Sequence, residues 1–131
     1  MVPRLRLFLA FAALAGFAGV ALDALGAHAL GPSPDPARLR LLDLATRYLL
    51  IHALALIGVV ALCARTQQPP PARWLTASAW AFAAGMVLFC GGLAVHALTG
   101  VAMLGPLVPV GGSALLLGWL TLLVHALRSR A

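Results

Sequence analysis

The chain has 131 residues, of which 63% are hydrophobic and only 9% are charged, and its mean hydropathy is +1.02. Soluble domains average about 45–50% apolar and about 25% charged residues, so this composition excludes a soluble globular fold and predicts an all-α integral membrane protein. A net charge of +6 would suit nucleic acid only on a soluble basic face, so we expect no nucleic-acid partner and take the lipid bilayer as the surroundings of the chain.

Four apolar runs predict one transmembrane domain over residues 1–131, built as a bundle of four helices, because a spanning helix uses about 20 mostly apolar residues. The predicted spans are residues 7–30, 48–64, 74–99 and 110–127. A cleaved secretory signal is the alternative for the first run, because Arg4 and Arg6 precede it. The apolar run is longer than the about 7–15 residues of a signal core, which favours an uncleaved span.

The second helix is predicted to begin at Asp35-Pro36, since aspartate is a good N-cap and proline fits the first helical turn. Its lead-in, residues 37–47, alternates arginine and leucine and suits the headgroup region. Asp43 and Arg47 lie four residues apart, so they can form an ion pair on one helix face.

Two further connections are predicted from proline and polar residues. Residues 65–73 form a polar link, after which Trp74 supplies an aromatic anchor at the membrane interface. Residues 100–109 carry no charge and two prolines, which indicates a short turn or a shallow re-entrant piece.

Arginines are concentrated on one side of the predicted topology. With four spans, both termini and the second connection share a side. That side collects Arg4, Arg6, Arg65, Arg73, Arg128 and Arg130. The other side has fewer arginines, partly offset by Asp35 and Asp43. The positive-inside rule therefore predicts a multi-pass protein of the bacterial inner (cytoplasmic) membrane, with both termini in the cytoplasm.

Small residues at helical spacing predict close contacts between helices. In lipid such residues matter because they let helix backbones approach each other. The predicted packing residues are Gly16, Gly19, Gly26, Ala81, Gly85, Gly111 and Gly112. The alternative is that glycine and alanine are simply abundant in this chain.

Three polar residues in or beside the spans, Asp23, Arg47 and Tyr48, are candidates for a functional role. A carboxylate within a span is costly to bury and tends to mark a functional position or a partner. Asp23 could handle a proton or a cation. It could instead be a satisfied structural group that is protonated, bonded to a histidine or paired with Arg47.

Three histidines, His28, His52 and His96, are predicted at a similar depth near the outer face, and neutral imidazoles suit zinc, copper and iron. No two of them share a helix at four-residue spacing, and no acidic or thiolate partner stands beside them. The alternative is that these interfacial histidines bond to the backbone or to headgroups. No cofactor is predicted, and a metal stays an open alternative.

The sequence shows no catalytic constellation. It has no nucleophile beside a base, no glycine-rich phosphate loop and no paired carboxylates, so it predicts a protein that is not an enzyme. Cys63 and Cys90 are predicted at different depths, which argues against a structural disulfide.

Five short motifs, in order along the chain, carry a resemblance to a known family. They are Gly26-Ala27-His28-Ala29-Leu30, Arg47-Tyr48, His52-Ala53-Leu54-Ala55-Leu56, Ala97-Leu98-Thr99-Gly100, and Pro109-Val110-Gly111-Gly112 with Gly118-Trp119. With these motifs the chain resembles the YgdD/YwdK-like family of small bacterial membrane proteins of unknown function. The resemblance implies a four-span inner-membrane protein and supplies no reaction. Asp23 and His96 depart from the family pattern, which indicates a role particular to this chain.

Three functional hypotheses follow from these features. The first is a non-enzymatic accessory or structural subunit that packs against itself, as a homo-oligomer, or against other subunits of a larger membrane complex. It follows from the near absence of extramembrane mass. The second is a small-solute or proton-coupled transporter that uses Asp23 with His28 or His52. The third is an outward-facing histidine metal site.

Overall fold

The computed structural model describes residues 1–28, 30–65 and 72–129, without the side chain of Ala27. Residues 66–71 of the predicted polar link, and Arg130 of the predicted arginine-rich side, lie outside this part of the chain. All the regular structure that the described residues form is helical, which confirms the all-α class.

Within the described residues, five α-helices and one π-helical segment make four membrane-length segments. The helices are α1 (Pro3–His28), α2 (Pro36–Arg65), α3 (Arg73–Gly85), α4 (Gly91–Thr99) and α5 (Leu107–Arg128). The π-helical segment, Met86–Cys90, joins α3 to α4, so that Arg73–Thr99 forms one continuous apolar segment, called here the third span. At about 1.5 Å per residue, each of the four is long enough for the about 30 Å of a bilayer core. The position of the bilayer boundaries along these helices stays a prediction.

The start of α2 is formed by Asp35 and Pro36, as the sequence predicts. Asp35 Oδ1 accepts a hydrogen bond from the Ala37 N–H at 2.9 Å. Pro36 takes the first helical position, where its missing N–H costs no bond. Asp43 and Arg47 also form the predicted ion pair, at 2.7 Å, on an exposed face of α2. An exposed pair of this spacing contributes only about 0.3–0.5 kcal/mol, so it adds little to the stability of the fold.

Neighbouring segments run antiparallel. On α1, Gly19 faces the side chain of Leu50 and Gly26 faces that of Leu42, so the sequence numbers of α1 and α2 run in opposite directions along their contact. The third span and α5 are antiparallel in the same way. The third span is also antiparallel to α2, since Arg38 contacts Ala97 and His52 contacts Phe82. As a result α1 and the third span are parallel to each other.

This topology gives the bundle two chemically different ends. One end holds the N-termini of α1 and α3 and the C-termini of α2 and α5. We call it the arginine end, because it carries Arg4, Arg6, Arg65, Arg73 and Arg128. The opposite end is the aspartate end, which carries Asp23, Asp35 and Asp43.

The centre of the bundle is made by α2 and the third span, with α1 packed on α2 and α5 packed on the third span. The largest fully buried side chains belong to these two central segments and include Leu56, Leu75, Phe82 and Met86. On α5 the buried residues are Gly111, Leu115 and Gly118. The outer helices α1 and α5 therefore keep most of their apolar surface for lipid or for another protein.

Candidate functional site

His52 lies where α2, α3 and α5 meet, and only 4% of its surface is exposed. Along α2 it belongs to a buried stripe with Leu49, Ala53 and Leu56. Residues three and four apart share one helix face, so these neighbours turn the imidazole towards the interior.

Both ring nitrogens of His52 are hydrogen-bonded. Nε2 lies 3.1 Å from Nε1 of Trp119, and an indole N–H can only donate. Nε2 is therefore the acceptor, and Nδ1 carries the proton and donates to the Tyr48 carbonyl oxygen at 2.7 Å. This arrangement holds a neutral imidazole in one tautomer and leaves it no free lone pair for a metal ion or a substrate proton.

Aromatic rings surround this imidazole. The Tyr48 ring stacks on it with centroids 5.7 Å apart, and the rings of Phe82 and Trp119 approach it at 5.5 and 6.0 Å. Phe89 contacts Tyr48 from the π-helical segment. Paired aromatic rings at such separations contribute about 0.5–1.5 kcal/mol beyond the area they bury. We call these five residues the aromatic cluster, and it connects α2, the third span and α5.

A second polar contact joins α3 to α5. The buried Ser78 donates from Oγ to the Gly118 carbonyl oxygen at 2.8 Å. The Phe82 ring occupies the space that a Cβ on Gly118 would need. Within the described residues, Thr46 Oγ1 is the one buried side-chain polar atom without a hydrogen-bond partner. The buried polar side chains His52 and Ser78 therefore serve contacts between helices.

Arg38, in the amphipathic lead-in of α2, closes the C-terminus of α4. Its Nε and Nη2 donate to the carbonyl oxygens of Ala97 and Leu98 at 2.7 and 2.8 Å. The last carbonyls of a helix lack helical partners and form the negative end of its dipole, so a guanidinium satisfies both needs. Gly100 ends the helix at φ 74°, with its N–H bonded to the His96 carbonyl oxygen. Sequence reasoning missed this contact, because it joins positions about sixty residues apart.

Asp23 lies on the exposed side of α1. In the part of the chain that the structure describes, it forms neither an ion pair nor a hydrogen bond, and Arg47, one of its suggested partners, is bound to Asp43. Its carboxylate therefore faces the surroundings of the bundle instead of the aromatic cluster. The structure does not bring Asp23 together with a histidine among these residues.

The three histidines suggested as a metal site lie apart. His28 is exposed at the end of α1, His96 is half-buried on α4, and His52 is enclosed in the aromatic cluster. Across residues 1–28, 30–65 and 72–129, no group of three His, Cys, Asp or Glu side chains is placed to hold a metal ion. The geometry therefore gives the three-histidine site no support, because one imidazole is enclosed in the interior while the other two lie on different helices nearer the surface.

The predicted packing residues of α1 differ from one another. Gly19 and Gly26 lie in close contact with α2, because a Cβ on either glycine would overlap a leucine side chain of that helix. Gly16 has open space where a Cβ would stand, so its lack of a side chain serves no helix contact.

At Gly111 the backbone of α5 comes close to the backbone of the π-helical segment. A Cβ on Gly111 would overlap the backbone nitrogen of Phe89, and a Cβ on Gly85 would overlap the side chain of Leu115. Gly112 lies beside the Phe89 ring. Ala81 is only half-buried. Glycine at 111 is therefore the packing residue with the least room for change.

Trp74 lies between two guanidinium groups at the arginine end. The Cζ atoms of Arg73 and Arg128 are 5.1 and 5.2 Å from its ring centroid, within the range of cation–π attraction. This contact links the start of α3 to the end of α5 and fits the predicted aromatic anchor.

Sequence reasoning found Tyr48 and His52 but missed Phe82, Ser78 and the bond to Trp119. The sequence alone could have pointed to two of these residues, Ser78 and Trp119. An indole N–H or a hydroxyl inside an apolar segment needs a partner, and in lipid that partner is most readily found on a neighbouring helix. Ser78 and Trp119 are such residues.

Four membrane-length apolar segments, tied together by buried polar and aromatic contacts, define the chain as a four-span α-helical membrane protein. The model of a family described as "Protein of unknown function (DUF423)" matches residues 22–112. The chain belongs to this family.

Named relatives agree with this assignment over nearly the whole chain. The UPF0382 inner membrane protein YgdD of Escherichia coli (strain K12) is 36% identical over 94% of this chain and 91% of its own length. The UPF0382 membrane protein YwdK of Bacillus subtilis (strain 168) is 31% identical over 95% of this chain and 98% of its own length. The resemblance predicted from the five motifs is confirmed. No solved structure matches the chain.

Proposed function

We propose that this protein is a non-enzymatic accessory or structural subunit of the bacterial inner membrane, which acts by packing against a second copy of itself or against a larger membrane complex. One observation carries the proposal. The buried His52 and Ser78 side chains are bound to other helices of the same chain. The interior therefore holds the helices together, and the outer surface is what remains to act.

The outer surface offers two apolar faces for such a partner. On α5, Leu116 and Leu120 lie one turn apart and are exposed. On α1, Leu14 and Phe17 form a similar exposed pair. Asp23 adds an exposed carboxylate to α1, and an ionisable residue in a membrane segment usually pairs with another group.

The orientation is part of the same proposal. The arginine end lies in the cytoplasm, together with both termini, because cytoplasmic connections of membrane proteins carry the excess of arginine and lysine. The transport alternative has no observation in its favour, since His52 is bonded through both nitrogens and Asp23 is separated from it.

Site-specific photo-crosslinking in the native membrane tests the proposal. A photoreactive amino acid replaces Leu116 or Leu120 on α5, or Leu14 or Phe17 on α1, one position at a time. We expect both positions of one face to yield the same adduct, with an identified membrane protein or with a second copy of the chain. Two positions one turn apart report one surface, so a shared adduct indicates a specific partner.

The matched control is Leu115, which neighbours Leu116 but is buried against Gly85. A photoreactive group at Leu115 is expected to give no adduct with another chain. If all four exposed positions crosslink only to lipid, and the purified protein is a monomer in mild detergent, the accessory role is overturned.

A further inference from the structure

Two cavities open at the arginine end and adjoin at the start of α1. One, of about 500 Å³, lies between α1 and the third span and is lined by apolar side chains that include Trp80 and Val87. The other, of about 810 Å³, lies among α1, α2 and α3 and includes Arg73. Arg4 and Phe8 line both. The two spaces therefore form a forked groove with arginines at its mouth.

In the part of the chain that the structure describes, no acidic side chain lies beside the positive charge at the mouth of this groove. The sequence contains three acidic residues, and all of them lie at the aspartate end. Neither α1 nor α3 has an acidic residue in its first turn, and α3 has no side-chain cap. Both helices direct their N-termini, the positive ends of their dipoles, to this end of the bundle. An anion at Arg4 and Arg73 would complement this charge.

Beyond the arginines the walls of the groove are apolar except for Thr76 and Cys63. Along the third span the lining of the two cavities extends from Arg73 to Leu88, a rise of about 22 Å, which is more than half of the about 30 Å bilayer core. The groove is therefore long enough for acyl chains that fill one leaflet. A ligand with an anionic head and apolar chains of leaflet length matches both its mouth and its walls.

A second copy of the chain is a poorer occupant. Two copies in one membrane share an orientation, so a symmetric contact through this groove would place Arg4 and Arg73 of one copy beside those of the other. Like charges placed together oppose association. The charge of the mouth therefore favours a lipid.

We infer that the forked groove binds an anionic phospholipid of the surrounding leaflet. Its phosphate lies between Arg4 and Arg73, and its acyl chains follow α1 and the third span. Basic pockets between membrane helices recognise anionic headgroups by this chemistry.

Native mass spectrometry of the purified full chain in neutral detergent tests this inference. The chain is titrated with dioleoyl phosphatidylglycerol and, separately, with dioleoyl phosphatidylcholine, which has the same chains but no net charge. Each arginine near a headgroup contributes about 1 kcal/mol, so two arginines predict an affinity for the anionic lipid about tenfold or more above that for the neutral lipid.

Substitutions distinguish the contribution of the lipid headgroup to binding from that of the acyl chains. Arg4→Gln and Arg73→Gln are each expected to weaken phosphatidylglycerol binding about fivefold. Arg6→Gln is the matched control, because Arg6 is exposed at the same end but lines neither cavity. Ala84→Phe narrows the groove, so it should weaken the binding of both lipids without changing the ratio of their affinities.

A competition experiment tests whether the groove binds a phospholipid or a free phosphate compound. Glycerol phosphate, which carries the anion without acyl chains, should fail to displace phosphatidylglycerol. Equal affinity for the two lipids, equal losses in Arg6→Gln and Arg4→Gln, or full displacement by glycerol phosphate would each overturn the inference.

Discussion

His52 is the residue through which α2 accepts a hydrogen bond from Trp119 on α5. A histidine in an apolar segment suggests a metal or a proton pathway. Here Trp119 donates to one ring nitrogen and the Tyr48 carbonyl accepts from the other. The bond from Trp119 contributes to the association of α2 with α5 in the way that interhelical hydrogen bonds do in membranes, whereas the bond to Tyr48 lies within α2 and fixes the ring.

The tautomer of His52 is a testable consequence. We expect ¹⁵N NMR of the protein to show a protonated Nδ1 and an unprotonated Nε2. Trp119→Phe removes the indole donor, so it should change the Nε2 resonance and lower the unfolding free energy by about 1 kcal/mol. Trp74→Phe is the control, since Trp74 contacts arginines and not the histidine. A protonated Nε2 in the parent protein would contradict the assigned bond.

Alanine substitutions at two glycines give a second testable prediction. Gly111→Ala places a Cβ against the Phe89 backbone and should destabilise the protein by about 1–3 kcal/mol, the usual cost of overpacking. Gly16→Ala meets open space and should be neutral, or stabilising by up to about 1 kcal/mol through helix propensity. Unfolding in detergent measures both. Equal effects of the two substitutions would show that α5 does not approach the π-helical segment as described.

Between helices, Arg38 adds a charged contact to the apolar packing of Ala45 on α2 against Leu93 and Ala94 on α4. Arg38 binds two carbonyl groups at the end of α4, directly before Gly100 turns the chain at positive φ. The end of the third span is therefore anchored to the start of α2 by charge-assisted hydrogen bonds.

Arg38→Gln should loosen this contact. We expect faster hydrogen exchange in the last turn of α4. We also expect the free energy of unfolding to fall by about 1–2 kcal/mol, because hydrogen bonds to a charged group are stronger than neutral ones. Arg40→Gln removes a charge from the same segment. Arg40 is exposed and has no partner among the described residues, so this variant should leave the exchange unchanged. Identical exchange in both variants would argue against the cap.

For the molecule as a whole, the separation of charges makes the orientation testable. Ser33 lies at the aspartate end and Ser129 at the arginine end, and both are exposed. With Ser33→Cys we expect labelling of intact cells by a membrane-impermeant maleimide. With Ser129→Cys we expect labelling only after the membrane is permeabilised, because the proposed topology places the arginine end in the cytoplasm. Cys63 and Cys90 are buried, so the unsubstituted chain gives the background. The reverse pattern would invert the proposed topology.

The sequence by itself determined the features that depend on composition and on neighbouring residues. Apolar runs long enough to cross a bilayer predicted the four membrane-length helices, and Asp35-Pro36 predicted the start of α2. The Asp43–Arg47 pair followed from a spacing of four residues. Such features need no knowledge of which helix lies beside which.

Only the tertiary structure decided which face of each helix is turned inward. In a soluble helix an apolar stripe marks that face. In a membrane helix both faces are apolar, and association depends on small and polar residues that find partners elsewhere in the chain. Trp119 reaches His52 across 67 positions and Ser78 reaches Gly118 across 40. These contacts depend on how the helices rotate and pack together, which no local pattern in the sequence specifies.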